Sequence, residues 1–198
     1  MDAIGQAYQV TLEPADVCAE LSNGDTIITE GKIDRPEYDR SRKIVRAWLE
    51  PKPDVYEPAK KAIEDADYIV FGPGSLYTSI IAVLLAEGMR EALRNSKAKF
   101  IFIAGNAYEE LGETGPETLS GFVRELEAYV SRALDVIVYN SHILTKESQK
   151  KYVDKKWRLF AYDPDHVPGD RIVEGDYEKA GGGLSSEKLG GILKELIR

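Results

Sequence analysis

Residues 67–80 constrain the fold of this chain more than any other stretch. The segment begins with a short apolar run of β-branched and aromatic residues at 68–71, which is typical of a strand buried on both faces of a sheet. Residues 72–74, Gly-Pro-Gly, end that strand sharply. Hydroxyl-bearing side chains follow at once, and the apolar run 80–85 then predicts a helix. The order of strand, glycine turn and helix predicts one unit of an α/β fold.

This turn has the composition of an anion site. Glycine lacks a Cβ, so the backbone N–H groups can approach a ligand closely. A helix start leaves N–H groups unpaired with partial positive charge, which suits a phosphate. The predicted phosphate- or nucleotide-binding residues are Gly72, Gly74, Ser75, Leu76, Tyr77, Thr78 and Ser79. An ordinary strand-to-helix turn with a Ser or Thr N-cap gives the same pattern, and the spacing is that of neither a P-loop nor Gly-x-Gly-x-x-Gly.

Beyond residue 51 the pattern alternates between helices and strands. Continuous apolar runs at 100–104 and 135–140 predict two more buried strands, and shorter runs at 158–162 and 171–174 predict two further ones. Apolar residues at helical spacing predict helices over 58–66, 89–93, 117–133, 145–152 and 186–197. We therefore predict a Rossmann-like α/β fold, with a mostly parallel sheet flanked by helices.

The first part of the chain has a different pattern. Runs at 8–12, 17–21, 26–29 and 44–49 predict strands, and Asn23-Gly24 favours a hairpin because both turn positions accept positive φ. These runs predict an N-terminal β-meander, with the charged residues 30–42 as an exposed loop. We expect one α/β domain over 1–198, mostly β over 1–50 and alternating α and β over 51–198.

Composition limits the classes of function. The 198 residues can bury the core of one ordinary domain. The net charge of −8 disfavours general binding to nucleic acid or anionic membrane. Cys18 is the only cysteine, which excludes an intramolecular disulfide, and we interpret it as a small core residue. With no recognisable signal peptide or long apolar span, a cytoplasmic location is expected.

Three polar loops should lie at the carboxyl edge of the parallel sheet, where ligands bind in such folds. They span residues 72–79, 105–114 and 140–142. Asn106 and Asn140 are suited to hydrogen bonds with a base or sugar, and equally to routine turns. Glu113 suits a general base, a group behind a metal ligand, a ribose-hydroxyl acceptor or a solvated loop acid. Thr114 suits a ligand contact or, with capping-box spacing to residue 117, a helix cap.

Other reactive residues have less informative patterns. His142 lies near the predicted edge, but a single histidine without a fixed partner does not define a catalytic base. Asp163, His166 and Asp170 lack the spacing of a known cation site and favour a turn. No catalytic residue and no metal ligand is therefore assigned from the sequence.

The sequence of residues 71–80, Phe-Gly-Pro-Gly-Ser-Leu-Tyr-Thr-Ser-Ile, closely resembles a family signature. The family joins 2-phospho-L-lactate transferase to the bacterial gluconeogenesis factors (CofD/YvcK-like), and segments 47–51, 62–67, 112–114 and 136–140 match it in order. The resemblance covers residues 11–140 and weakens beyond. The family's N-terminal Gly-Gly-Gly-Thr-Gly loop and its Asp-Asp-Gly-Gly-Ser-Ser-Gly segment are both absent here. The chain thus resembles the later part only, as a truncated or naturally short relative would.

The resemblance implies a regulatory protein that binds a nucleotide or nucleotide sugar and acts in carbon metabolism and cell shape. One alternative is a transferase-like enzyme of deazaflavin cofactor biosynthesis, for which Mg²⁺ would be the cofactor. Another is an incomplete structural or interaction remnant. Phosphoryl chemistry needs positioned cations and donors, and the absent segment should carry part of them. We therefore favour a binding and regulatory role over a transferase activity. The expected partner is a small phosphorylated ligand, with no nucleic acid and no membrane, and exposed sheet edges make a homo-oligomer plausible.

Overall fold

Two β-sheets and a short β-ribbon organise the fold. A computed structural model describes residues 4–163 and 166–197. The strands are β1 (Asp16–Leu21), β2 (Thr26–Ile28), β3 (Ile44–Glu50), β4 (Tyr68–Phe71), β5 (Lys99–Ile103), β6 (Ala107–Glu109), β7 (Val136–Asn140), β8 (Trp157–Leu159) and β9 (Ile172–Gly175). The helices are α1 (Glu30–Asp34), α2 (Glu57–Glu64), α3 (Met89–Asn95), α4 (Leu119–Val130), α5 (Lys146–Asp154) and α6 (Ser186–Leu196).

The larger sheet is parallel and has the strand order β4-β5-β7-β9. Side chains on β5 alternate between its faces, so Phe100 and Phe102 join one apolar cluster while Ile101 and Ile103 join another. Because both faces are covered, the strand is apolar throughout. The predicted Rossmann-like α/β fold is confirmed, and the predicted run at 171–174 is the edge strand β9.

The N-terminal part forms a separate antiparallel sheet in the order β2-β1-β3. The predicted hairpin at Asn23-Gly24 joins β1 to β2, and Gly24 has the expected positive φ of 86°. The strand predicted at 8–12 is wrong, because these residues join no sheet and Val10 packs against the main core instead. The exposed loop predicted at 30–42 is also wrong in part. It contains α1, whose Ile33 is fully buried.

The two sheets share one hydrophobic cluster. Ala19, Leu21, Ile44 and Ala47 of the antiparallel sheet belong to the same buried cluster as Phe71 of β4. Hydrogen bonds join the outer edge of β3 to later parts of the chain. The Ile44 N–H donates to the carbonyl of Thr114 at 3.1 Å, and the Ala47 N–H donates to the Tyr129 hydroxyl at 2.8 Å. The antiparallel sheet is therefore part of the same packed body as the signature segment.

The start of α4 differs from the prediction. The capping-box interpretation of Thr114 is wrong, because Thr118 is the N-cap and accepts a hydrogen bond from the Gly121 N–H at 3.1 Å. Asp163 also accepts from the Ser120 N–H at 2.9 Å, so a distant carboxylate supports this helix start.

Of the predicted turn at 163–166, residues 164 and 165 lie outside the described residues. Among the described residues, no helix is long and apolar enough to cross a membrane.

Candidate functional site

The signature loop, residues 72–75, leaves the end of β4 and runs beside the end of β5. Gly72 has a φ of +78°, and a Cβ at this position would lie 2.9 Å from the carbonyl oxygen of Ile103 on the neighbouring strand. Both observations require glycine here, since other residues rarely adopt positive φ and have no space. Pro73, Gly74 and Ser75 are exposed, so the loop faces outward from the sheet edge.

The segment after the loop is not the ordinary helix predicted over 80–85. A π-helical turn (Leu76–Ile81) and a 3₁₀ turn (Ala82–Leu84) take its place. The carbonyl of Ser75 accepts hydrogen bonds from both Ser79 and Ile80, at 3.2 and 3.0 Å, which widens the turn. The first N–H groups of this turn are unpaired within the segment, as the sequence predicted for an anion site.

The carboxylate of Glu113 lies at these N–H groups. It accepts hydrogen bonds from the backbone of Leu76 at 2.5 Å, of Tyr77 at 3.1 Å and of Thr78 at 3.2 Å. The Thr78 hydroxyl donates to it at 3.4 Å. The Glu113 carboxylate therefore acts as an internal anion that stabilises the signature segment. None of the roles that the sequence suggested for Glu113 included this contact.

Burial raises the pKa of Glu113 above its ordinary value of 4.5, although the backbone hydrogen bonds from Tyr77, Thr78 and Leu76 lower it. The folded chain thus retains the proton to a higher pH than the unfolded chain. The contribution of this proton to stability is complete below about pH 4.5 and is lost as pH rises through the folded pKa.

We predict that the stability advantage of the wild type over Glu113→Gln narrows as pH rises above the ordinary Glu value of 4.5. The glutamine side chain does not titrate, so the difference between the two proteins isolates this group. Urea unfolding of both proteins from about pH 4 to about pH 8 measures it. An advantage that grows with pH across this range would contradict the prediction.

The side chains of Tyr77 and Thr114 point into the protein rather than toward a ligand. The Tyr77 hydroxyl donates to the Ile44 carbonyl at 3.3 Å and to Glu125 at 3.0 Å, and burial raises its pKa. Thr114 is buried, and its hydroxyl shares a 2.8 Å hydrogen bond with the Tyr38 hydroxyl. In this conformation both hydroxyls form hydrogen bonds within the protein, and neither residue lines the signature cavity.

A cavity of about 400 Å³ opens beside the signature loop, and we call it the signature cavity. The β6–β8 ribbon, where the sequence predicts a polar loop at 105–114 and a further strand at 158–162, forms part of its wall. Of the predicted site residues, it is lined by Gly74, Ser75, Leu76, Asn106 and Glu113. Its aromatic lining includes Tyr108, Phe122, Trp157 and Phe160. Gly72, Tyr77, Thr78, Ser79, Thr114 and Asn140 do not line it.

Asn106 and Asn140 meet at a buried carboxylate, that of Glu178. The amide Nδ2 groups of Asn106 and Asn140 both donate to the Glu178 carboxylate, and the distance from Asn140 is 3.1 Å. The Tyr152 hydroxyl also donates to it, at 2.7 Å. Asn106 also donates to the Gly183 carbonyl at 3.1 Å, whereas its Oδ1 is shielded from solvent and has no hydrogen-bond partner among the described residues. The two asparagines thus share one polar cluster, of which Asn106, Tyr152 and Gly183 also line the signature cavity.

Sequence reasoning missed three residues of this region. Glu178, Tyr152 and Trp157 lie in the C-terminal third, and no local motif distinguishes them. His142, expected near the sheet edge, lies next to Asn140 with its Nδ1 3.3 Å from Asp176. The described residues contain no group of three or more His, Cys, Asp or Glu side chains placed to hold a metal ion.

A parallel sheet with a glycine loop and a cavity at its carboxyl edge defines a Rossmann-like α/β domain, a class of fold in which ligands bind at that edge. The chain belongs to the 2-phospho-L-lactate transferase CofD family, whose model matches residues 2–176.

Individual relatives extend this result. A relative from Thermotoga maritima is 36% identical over 170 residues, covering 86% of this chain and 52% of that protein. The protein named Gluconeogenesis factor in Bacillus subtilis is 33% identical over 147 residues, covering 73% of this chain and 45% of its own length. The chain therefore spans about half the length of these relatives.

A solved structure has the same fold. The crystal structure of a UPF0052 family protein from Bacillus halodurans matches with a TM-score of 0.80 and 25% identity. The match covers 93% of this chain and 60% of the other.

Proposed function

We propose that this chain binds a nucleotide sugar in the signature cavity and acts as a regulatory protein of carbon metabolism and cell shape. The cavity carries this proposal. Its volume of about 400 Å³ lies within the range of small-molecule sites, and aromatic side chains form much of its wall. The similarity to the protein named Gluconeogenesis factor supports the regulatory part.

Isothermal titration tests the ligand class. The chain is titrated with UDP-N-acetylglucosamine, GDP and inorganic phosphate, each with and without Mg²⁺. We expect saturable binding of UDP-N-acetylglucosamine without turnover. A folded sample that binds neither nucleotide would contradict the proposal.

Trp157→Leu should weaken binding of UDP-N-acetylglucosamine about tenfold, because a ring that stacks on an aromatic side chain loses about 1–3 kcal/mol without it. Trp157 lines the cavity and packs edge-on against Tyr152, with ring centroids 5.5 Å apart. Trp48→Leu is the matched control, because Trp48 lies on β3 and does not line the cavity. Equal affinities of the two variants would argue against ligand binding at this wall.

The family model supports a second candidate, a transferase-like enzyme, since its description names 2-phospho-L-lactate transferase. Such an enzyme would form product from a phosphorylated donor and a deazaflavin alcohol in the presence of Mg²⁺. Product formation that requires Mg²⁺, followed by chromatography, would favour this candidate over a purely regulatory role.

A further inference from the structure

We propose that the signature cavity receives the uncharged ring of the ligand, a sugar or base rich in O–H and N–H donors, and that the phosphates remain outside it. This inference rests on the proposed function and assigns the orientation of the ligand. The groups that line the cavity carry it.

The charged groups on the cavity wall are carboxylates. Asp34, Glu109 and Glu113 line the cavity, and none of the described residues that line it is a lysine, arginine or histidine. A phosphate placed here would face like charges in a partly enclosed space, where water screens repulsion less than at an open surface. The wall therefore disfavours the charged part of a nucleotide sugar.

The backbone donors expected to hold a phosphate are already in use. The N–H groups of Leu76, Tyr77 and Thr78 all donate to the Glu113 carboxylate. A phosphate could reach them only by displacing this buried side chain. In the observed conformation, the signature segment offers no free anion site at these three groups.

Several of the other polar groups on the wall are hydrogen-bond acceptors. Carboxylates such as those of Asp34 and Glu109 accept from hydroxyl and amino groups. The Oδ1 of Asn106 has no hydrogen-bond partner in the described part of the chain, whereas its amide Nδ2 donates to Glu178 and to the Gly183 carbonyl. An unpaired buried acceptor is costly, so a small rotation of the amide toward a ligand donor would be favourable. These acceptors fit a ring that carries several donors.

The apolar part of the wall fits the faces of such a ring. Phe160 packs against Tyr108 with ring centroids 5.2 Å apart and against Phe122 at 4.4 Å. Together with Trp157, these side chains give the cavity flat aromatic surfaces. Sugars and bases present C–H or π faces that pack on aromatic rings while their edges donate hydrogen bonds.

Removal of a negative charge tests the orientation, because the two alternatives predict opposite signs. If ligand donors face the carboxylates, Asp34→Asn and Glu109→Gln should each weaken binding of UDP-N-acetylglucosamine about tenfold. If phosphates face them, the same variants should bind more tightly. Glu110→Gln is the matched control, since Glu110 does not line the cavity and pairs with Arg158 at 2.7 Å.

Isothermal titration of the wild type and the three variants gives the result, and circular dichroism checks that each variant is folded. The inference is supported if Asp34→Asn and Glu109→Gln bind UDP-N-acetylglucosamine more weakly than the wild type while Glu110→Gln binds it equally well. Unchanged or tighter binding overturns the inference but leaves the proposed function intact. Loss of binding by the wild type itself would overturn both.

Inorganic phosphate provides an independent readout. It should not displace UDP-N-acetylglucosamine from the wild type at millimolar concentration, because the cavity repels it. Displacement of UDP-N-acetylglucosamine from the wild type by millimolar phosphate would show that phosphate competes for the cavity despite its carboxylates and would overturn the inference.

Discussion

Glu113→Ala should lower the free energy of unfolding by about 3 kcal/mol, because it leaves buried N–H donors without a partner. The N–H groups of Leu76, Tyr77 and Thr78 all depend on this carboxylate. Glu113→Gln should cost less, about 2 kcal/mol, since it keeps one acceptor oxygen but turns an amide donor toward other donors. Urea unfolding at neutral pH measures both changes.

The control for this prediction is Glu110→Ala, three residues away. Glu110 forms an ion pair with Arg158 on the surface, and such pairs contribute little to stability. Its unfolding free energy should stay close to that of the wild type. If Glu113→Ala is no more destabilising than Glu110→Ala, the carboxylate does not support the signature segment.

Gly72→Ala should lower the free energy of unfolding by about 3 kcal/mol, as much as Glu113→Ala, because two penalties act together. The φ of +78° strains any other residue, and the added Cβ would lie 2.9 Å from the Ile103 carbonyl oxygen. This contact is to backbone of the neighbouring strand, so relief requires β4 and β5 to shift. Thermal and urea unfolding of the variant measure the cost.

Gly24→Ala separates the two penalties. Gly24 has a similar φ of +86°, but a Cβ there would have nothing within 4 Å. It should cost only about 1 kcal/mol, the cost of positive φ alone. Equal losses at both positions would mean that the contact with Ile103 is unimportant.

The fold could be predicted where burial leaves a local pattern. Strands β5 and β7 are covered on both faces, so they appear as continuous apolar runs in the sequence. The run at 68–71 also predicts a strand buried on both faces, but this is wrong in part, because β4 lies at the edge of the sheet and its Val70 is exposed. Residues 8–12 alternate between apolar and polar side chains, which also predicts a strand, but they join no sheet. Pairing with another strand depends on long-range packing, and the local sequence does not contain this information.

The candidate site could be predicted in part. Gly74, Ser75, Asn106 and Glu113 were placed at one edge of the sheet by the topology rule, and they line one cavity. The rule locates strand ends but not side-chain partners. It therefore assigned Glu113 several roles and missed its contact with the signature segment.

Glu178 shows a different limit. It is one of 34 acidic residues, and no motif around it indicates that it is buried with two asparagines and a tyrosine. Thr114 and Thr118 show a third limit, because both precede a plausible helix start. Only tertiary contacts decide that Thr118 caps α4 and that Thr114 bonds Tyr38.

The hydrogen bonds along the outer edge of β3 have a consequence for synthesis of the chain. Ala47 donates to Tyr129, which lies 82 residues further along, and Ile44 donates to the carbonyl of Thr114. A ribosome completes β1, β2 and β3 well before these partners emerge. During that interval the edge of β3 has free donors and acceptors, the condition in which nascent strands pair with other chains. Once the segment up to Tyr129 has been synthesised, it can form these hydrogen bonds, and the edge of β3 is then no longer available for pairing with other chains.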